Sequence, residues 1–270
     1  MPIHIEDLEY RRDTESPLLA RFYRPEGGGP FPAVLEVHGG AWTSGDRLNN
    51  TAIGEYLAGH GIVVLSIDFR MPPVLRYPET VADVNFGIRF LKANAERFST
   101  RPGSVGGLGT SSGGHLLLLN ALRPRDPRYA SIPLSGADAS LAFAVACWPV
   151  ADPLARYRAV RERGNTRLAD AHDQFWPSEA AMAEGSPQQI LERGEPVEKP
   201  AALIMQGTND DNLTPDMARN FAAVYAKAGG DISFHEFEGE PHAFIPRDPN
   251  SANAQRALDL IAAFIHRQAG

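Results

Sequence analysis

The stretch Ser104-Val-Gly-Gly-Leu-Gly-Thr-Ser-Ser-Gly-Gly-His-Leu-Leu-Leu-Leu119 decides how this chain must fold. Ser104–Leu108 reads as a short strand and Gly113–Leu122 as a helix, joined through Gly109-Thr-Ser-Ser-Gly113. The junction matches G-x-S-x-G, in which small residues let a strand turn sharply into a helix while the middle serine stays exposed. That setting makes Ser111 a candidate nucleophile rather than part of an ordinary turn. Ser112 would act through its backbone N–H, its side chain merely filling the start of the helix.

Apolar runs at 33–37, 61–67, 142–147, 201–205 and 231–237 predict further strands, from their β-branched content and their glycine or polar bounds. Helical patterns at 49–60, 81–98, 215–228 and 251–267 alternate with them. Thr80 with Asp83 predicts a capping box for the second of these. Thr214 as N-cap, Pro215 at the first helical position and Gly229 past the end punctuate the third. Residues near 1–25 predict an antiparallel start at one edge. Strands separated by helices predict an α/β fold, a mostly parallel sheet with helices on both faces. The whole chain, 1–270, reads as one domain with a core at about 1–151 and 201–270. Residues from about 152 to 200 carry no strand pattern, and roughly 45 residues exceed a simple connection. They predict a small helical cap, divided at Gly164, Gly185, Pro187, Gly194 and Pro196.

Composition excludes several classes. Over 270 residues, 26 Lys+Arg against 33 Asp+Glu give −7, which removes the usual electrostatic reason to expect nucleic acid or an anionic membrane. One cysteine, Cys147, offers no internal disulfide framework and reads as a buried, inert thiol in an apolar strand. No run approaches the roughly 18 apolar residues of a bilayer span. The N-terminal residues lack the layout of a signal peptide, so a cytoplasmic protein is expected. Without H-E-x-x-H, paired C-x-x-C, a Walker loop or a dinucleotide fingerprint, neither metal nor cofactor is expected.

A serine hydroxyl needs a base to become a nucleophile. His242, in Gly239-Glu-Pro-His-Ala-Phe244, follows the last strand, where parallel sheets place chemistry. Of the other histidines, His235 lies within a strand, His60 at a helix end, and His4 and His266 near the termini; His172 is in the insertion, where an exposed surface role is preferred to a substrate-facing one. The base needs an orienting carboxylate, and Asp210 and Asp211 both follow the strand at 201–205. Residues 36–42 read Glu-Val-His-Gly-Gly-Ala-Trp directly after a strand. Consecutive glycines there can aim backbone N–H groups at an oxyanion, each worth roughly 3–4 kcal/mol. His38 would hold that loop. Trp42, Trp148, Phe175 and Trp176 are candidates for lining an acyl or aryl pocket, with core packing as the competing reading. Arg156, Arg158, Arg161, Arg163 and Arg167 read as a solvated helix face, the alternative being a site for a substrate carboxylate.

Together, His38-Gly-Gly-Ala-Trp42, Gly109-Thr-Ser-Ser-Gly-Gly114, Gly207-Thr-Asn-Asp210 with Thr214-Pro215, and Pro241-His242 resemble the α/β-hydrolase esterases. The likeness is to the hormone-sensitive-lipase-like enzymes and the H-G-G-x-W group of arylformamidases and small carboxylesterases. It implies an α/β-hydrolase fold and a triad of Ser111, Asp210 and His242, with Asp210 preferred to Asp211 by motif position. It further implies oxyanion N–H groups from Gly40, Ala41 and Ser112, with Gly39 shaping the loop. Ala41 stands where the family often has a third glycine, and Ser112 where alanine is common; both keep their backbone donors. The expected function is cleavage of small or medium carboxylic esters through an acyl-serine. The rivals are an amidase on activated amides such as arylformamides and a non-catalytic ligand-binding protein on the same fold. A histidine base would make activity rise through about pH 6–7.

Overall fold

In the computed structural model, which describes residues 1–12, 15–214 and 216–270, the strands form a single eight-stranded sheet. They are β1 (Ile3–Arg11), β2 (Leu18–Pro25), β3 (Phe31–Val37), β4 (Val63–Ile67), β5 (Thr100–Thr110), β6 (Phe143–Cys147), β7 (Ala201–Gly207) and β8 (Ile232–Phe237). The helices are α1 (Thr51–Gly59), α2 (Glu79–Ala93), α3 (Ser111–Leu122), α4 (Pro153–Glu162), α5 (Thr166–Phe175), α6 (Glu179–Glu184), α7 (Pro187–Glu192), α8 (Met217–Lys227), α9 (Phe244–Arg247) and α10 (Ala252–Ala269). Among the described residues no helix is long and apolar enough to cross a membrane.

Strand order is β1-β2-β4-β3-β5-β6-β7-β8. The pairs β1–β2 and β2–β4 are antiparallel, and every other pair is parallel. Inner strands such as β4 (VVLSI) and β6 (FAVAC) are buried at every position, as strands covered on both faces must be. After β3 the chain moves to one side for β4, then returns to β3's other side for β5. Loops leaving β3 and β5 therefore part at a topological switch, the place where such sheets open a crevice. Val37 pairs with Gly109, Thr110 with Cys147, and Gly207 with Phe237, so the ends of β3, β5, β6, β7 and β8 deliver their loops to one edge.

Local details differ from the sequence reading at several points. β5 extends well beyond Ser104–Leu108, starting at Thr100 and running up to Thr110. The capping box at Thr80 and Asp83 does not form: α2 begins at Glu79, and Thr80 lies buried within its first turn. Asp83 instead binds Arg11 at 2.7 Å and Arg70 at 2.6 Å, and charge-assisted bonds to two guanidiniums outcompete one helix amide. α8 begins at Met217 with Asp216 as its N-cap, so Thr214 does not cap it; Thr214 instead accepts the Met217 amide through its carbonyl. Pro215 lies outside the described residues. Gly229 takes φ +84° past the end of α8. Between β6 and β7 the insertion forms α4 to α7, broken near Gly164 and Gly185, with Pro187 opening α7.

Candidate active site

β5 ends at Thr110, and Ser111 opens α3 with φ 52°, the left-handed region that a serine rarely adopts. Six non-glycine residues have positive φ among those described, and five of them (Ala41, Trp42, Ser111, Trp148, Ala243) lie in loops at this sheet edge. Strain of this kind concentrates where geometry matters more than comfort. Gly113 allows the close approach behind the serine, because a Cβ there would lie 2.1 Å from the Val37 carbonyl oxygen and 2.2 Å from that of His38.

Three residues from three strand ends meet in one line. His242 Nε2 lies 2.9 Å from Ser111 Oγ, and His242 Nδ1 lies 2.7 Å from Asp210 Oδ2. With Nδ1–H donating to the carboxylate, Nε2 is left to accept the serine proton. Asp210 Oδ2 also accepts from Gln206 Nε2 at 2.7 Å, while Oδ1 accepts the Asn212 and Leu213 amides at 2.8 and 3.1 Å. Burial pushes the Asp210 carboxyl up, but the hydrogen bonds from His242, Gln206 and Leu213 outweigh it and hold the group below its ordinary value. Asp211, the competing carboxylate, is exposed.

The loop after β3 turns over the serine. Gly40, Ala41 and Trp42 have φ of 119°, 53° and 64°, and the amides of Gly40 and Ala41 have no acceptor among the described residues. Gly39, Gly40 and Ala41 all border the cavity at Ser111. Unpaired backbone donors at a cavity are costly unless something anionic or aqueous meets them. Ser112 has a part that motif reading missed: its hydroxyl accepts the Trp42 amide at 3.1 Å and so anchors the loop. His115, also missed, accepts the Trp42 indole N–H at Nδ1 and donates from Nε2 to the Gly185 carbonyl at 2.9 Å. His38 is buried, bonds the Gly39 carbonyl through Nδ1 at 2.6 Å and stacks on Phe69.

Glu36, one residue before the end of β3, was also missed. Its Oε1 accepts from Asn50 Nδ2 at 2.6 Å, and the same amide donates to Thr110 Oγ1 at 3.0 Å, just before the serine. Complete burial pushes the Glu36 carboxyl up to about 7, against the pull of Asn50 and Ser66. An acid that holds its proton more tightly when folded lends stability that is full below its unfolded value of 4.5 and is lost as pH rises through about 7. The loss amounts to about 3 kcal/mol. Glu36→Gln should therefore flatten the fall in Tm between about pH 5 and about pH 8 relative to wild type. Parallel curves in thermal unfolding would show that Glu36 is not responsible.

The cavity has a volume of about 200 Å³. Ser111, His242 and Trp148 line it from the sheet edge, and Arg156, Arg167 and Leu168 from the insertion between β6 and β7. Of the four aromatic candidates, Trp148 alone borders this cavity, its ring edge-on to His242 at 6.3 Å. Trp42, Phe175 and Trp176 do not. Trp42 stacks on Phe175 at 5.1 Å with Trp176 edge-on to both, in a buried cluster that welds the loop after β3 to the insertion. Large rings gain more from each other there than from a small, polar opening. His172, expected at the surface, is fully buried against Trp42 with neither ring nitrogen bonded, and burial pushes it down to about 2. Of the arginines read as one solvated face, Arg158, Arg161, Arg163 and Arg167 are exposed, but Arg156 is 1% exposed.

Comparison with known proteins matches residues 21–224 to the family model BD-FAE. The chain is 29% identical over 249 residues to Esterase LipC of Mycobacterium tuberculosis and 28% identical over 255 residues to that organism's probable carboxylic ester hydrolase LipM. These matches take in 88% and 89% of this chain but only 59% and 56% of those proteins. The fold is shared with a thermophilic esterase of Thermogutta terrifontis, Est2 with propionate bound, at TM-score 0.77 and 24% identity, over 97% of this chain and 94% of that one. That neighbour carries the α/β-hydrolase fold.

Proposed function

As the chain belongs to the BD-FAE family, we propose that it is a serine hydrolase of small or medium carboxylic esters, with Ser111, His242 and Asp210 as its triad. The observation that carries this reading is the continuous line of hydrogen bonds from Asp210 through His242 to Ser111 beneath two unpaired amides. The names of LipC and LipM support ester cleavage.

In this reading Ser111 Oγ attacks the ester carbonyl as His242 Nε2 takes its proton. Asp210 keeps the imidazole in the accepting tautomer and stabilises the imidazolium that forms. The carbonyl oxygen, now negative, moves toward the amides of Gly40, Ala41 and Ser112, with Gly39 shaping their loop. His242 then passes the proton to the leaving alkoxide, and an acyl-serine remains. Water repeats the sequence, losing its proton to His242, and the acid departs as Ser111 is restored.

We read the chain as one hydrolase domain with a core at about 1–151 and 201–270, whose cap at about 152–200 roofs the site. A cavity of about 200 Å³ is smaller than the roughly 300–1,000 Å³ that hold drug-sized ligands, which favours short acyl groups. A cytoplasmic setting accords with a sequence whose one cysteine is buried in β6.

The test is hydrolysis of p-nitrophenyl acetate, butyrate and decanoate beside N-formylaniline. Acetate and butyrate esters should turn over with kcat/KM well above decanoate. Turnover of the formanilide with no ester cleavage would replace the reading by an amidase. Absence of all turnover, with no labelling of Ser111 by a fluorophosphonate, would leave a binding protein instead.

A further inference from the structure

The cap places a cation where the proposed ester chemistry does not require one. Asp152 caps α4 by accepting the Ala155 amide, with Pro153 at the first helical position. This presents Pro153, Arg156, Tyr157 and Val160 as the buried face of the helix. Arg156 thus occupies a core-facing position that periodicity reserves for apolar residues. Its guanidinium lies 5.6 Å over the Trp42 ring, and Nε donates to the Asn212 carbonyl at 3.2 Å. Nη1 is enclosed and has no partner. No carboxylate lies within ion-pair distance of Arg156 or Arg167 among the described residues, and both line the cavity that holds Ser111 and His242. Asp210, a nearby anion, is already engaged by His242, Gln206 and two backbone amides.

A buried cation without a carboxylate to pair it is expensive, and a chain with net charge −7 has carboxylates to spare for that purpose. Elsewhere in the segment two arginines do meet carboxylates: Arg158 meets Glu179 at 2.8 Å, on the exposed side of the same helix, and Arg193 meets Glu195 at 2.8 Å. Burial pushes Arg156 down to about 10, with Arg167 and Arg163 adding to the crowding of positive charge, yet the group stays protonated at neutral pH. Two guanidiniums that border one small cavity with no carboxylate paired to either describe a receptor for an anion.

We infer that the substrate is an ester bearing a free carboxylate, received by Arg156 from the cavity wall and by Arg167 from its rim. This inference rests on the ester-hydrolase reading and adds the substrate class. A planar carboxylate suits a guanidinium, which can offer two parallel N–H donors. The carboxylate could belong to the acyl part, as in a half-ester of a dicarboxylic acid, or to the leaving alcohol. In either case it would be held while the ester carbonyl reached Ser111 and the Gly40 and Ala41 amides.

Two matched pairs of substrates test this: methyl hydrogen glutarate against methyl valerate, and 4-acetoxybenzoate against phenyl acetate. In wild type, one charged ester should exceed its neutral partner in kcat/KM by about tenfold or more, chiefly through a lower KM. The pair that shows the preference locates the carboxylate on the acyl or the alcohol side. Arg167→Gln should reduce that ratio several-fold and Arg156→Gln reduce it further, while Arg158→Gln leaves it in place. Should Arg156→Gln fail to fold, Arg167→Gln decides, because its side chain is exposed. Calorimetry with glutarate separates this inference from the reading beneath it. If no ester is cleaved, binding heat that is lost in Arg167→Gln still upholds the anion site, and absence of heat overturns it. Cleavage of neutral esters at least as well as charged ones, or a ratio that neither variant moves, overturns the inference and leaves the esterase standing.

Discussion

Ser111→Ala is expected to lower kcat on p-nitrophenyl acetate by about a million-fold, and His242→Ala by a similar factor, because neither residue acts without the other. The imidazole has no other nucleophile to serve, and the hydroxyl has no other base within hydrogen-bond reach in the described structure. Asp210→Ala should cost less, roughly ten-thousand-fold, since the imidazole then loses its tautomer control but not its basicity. Adding His242→Ala or Asp210→Ala to Ser111→Ala should change little further. Residual turnover would come from the remaining amides and from binding. Asp211→Ala is the internal control: that side chain is exposed and makes no bond to His242, so kcat should stay near wild type. Steady-state kinetics of the four single variants and the double variants would decide the matter. A Ser111→Ala enzyme with near-full activity, or an Asp211→Ala enzyme worse than Asp210→Ala, would remove the assignment.

Outside the triad, Gly40→Ala should produce the largest loss, about a hundred- to a thousand-fold in kcat, with KM little changed. The backbone here has φ 119°, and an added Cβ would lie 1.8 Å from the Ser44 carbonyl oxygen and 2.6 Å from its carbon. Both are backbone atoms and cannot swing aside. The turn is itself closed by the Thr43 and Ser44 amides, which both donate to the Gly40 carbonyl, so relief must come from opening the loop. Opening it re-aims the Gly40 and Ala41 amides, which matter most when negative charge develops on the substrate oxygen. Ala41 already tolerates φ 53° with a side chain, so Ala41→Gly should fold and should cost far less. Circular dichroism and thermal unfolding would confirm that Gly40→Ala remains folded, leaving kcat as the informative quantity. A kcat within about twofold of wild type would mean that these amides do not stabilise an oxyanion.

Most of the scaffold was legible in local sequence. The runs at 33–37, 201–205 and 231–237 correspond to β3, β7 and β8. Their ends could be placed because β-branched runs bounded by glycine and polar residues have few alternatives. The helix ends were less legible. Thr80 with Asp83 had the right spacing for a cap, but spacing carries no information about Arg11 and Arg70, distant in sequence, which claim the carboxylate. Arg156 had a signal that could have been used: with Pro153, Tyr157 and Val160 it falls on one helical face, whereas Arg158 and Arg161 do not and Arg163 lies past the last helical residue.

What the sequence by itself determined is the alternation of strands and helices and the order of serine, aspartate and histidine along it. These follow from periodicity, turn chemistry and motif spacing, all of which act within a few residues. What only the tertiary structure decided is where each side chain looks. It buried Trp42, Phe175 and Trp176 against one another and left Trp148 at the cavity. It gave Ser112 a loop to hold and His172 a place in the core. It turned one arginine of five inward. The physical reason is that a side chain's direction is set by what packs against it, and here the packing partners lie dozens of residues away, across the junction of the β6–β7 insertion and the sheet.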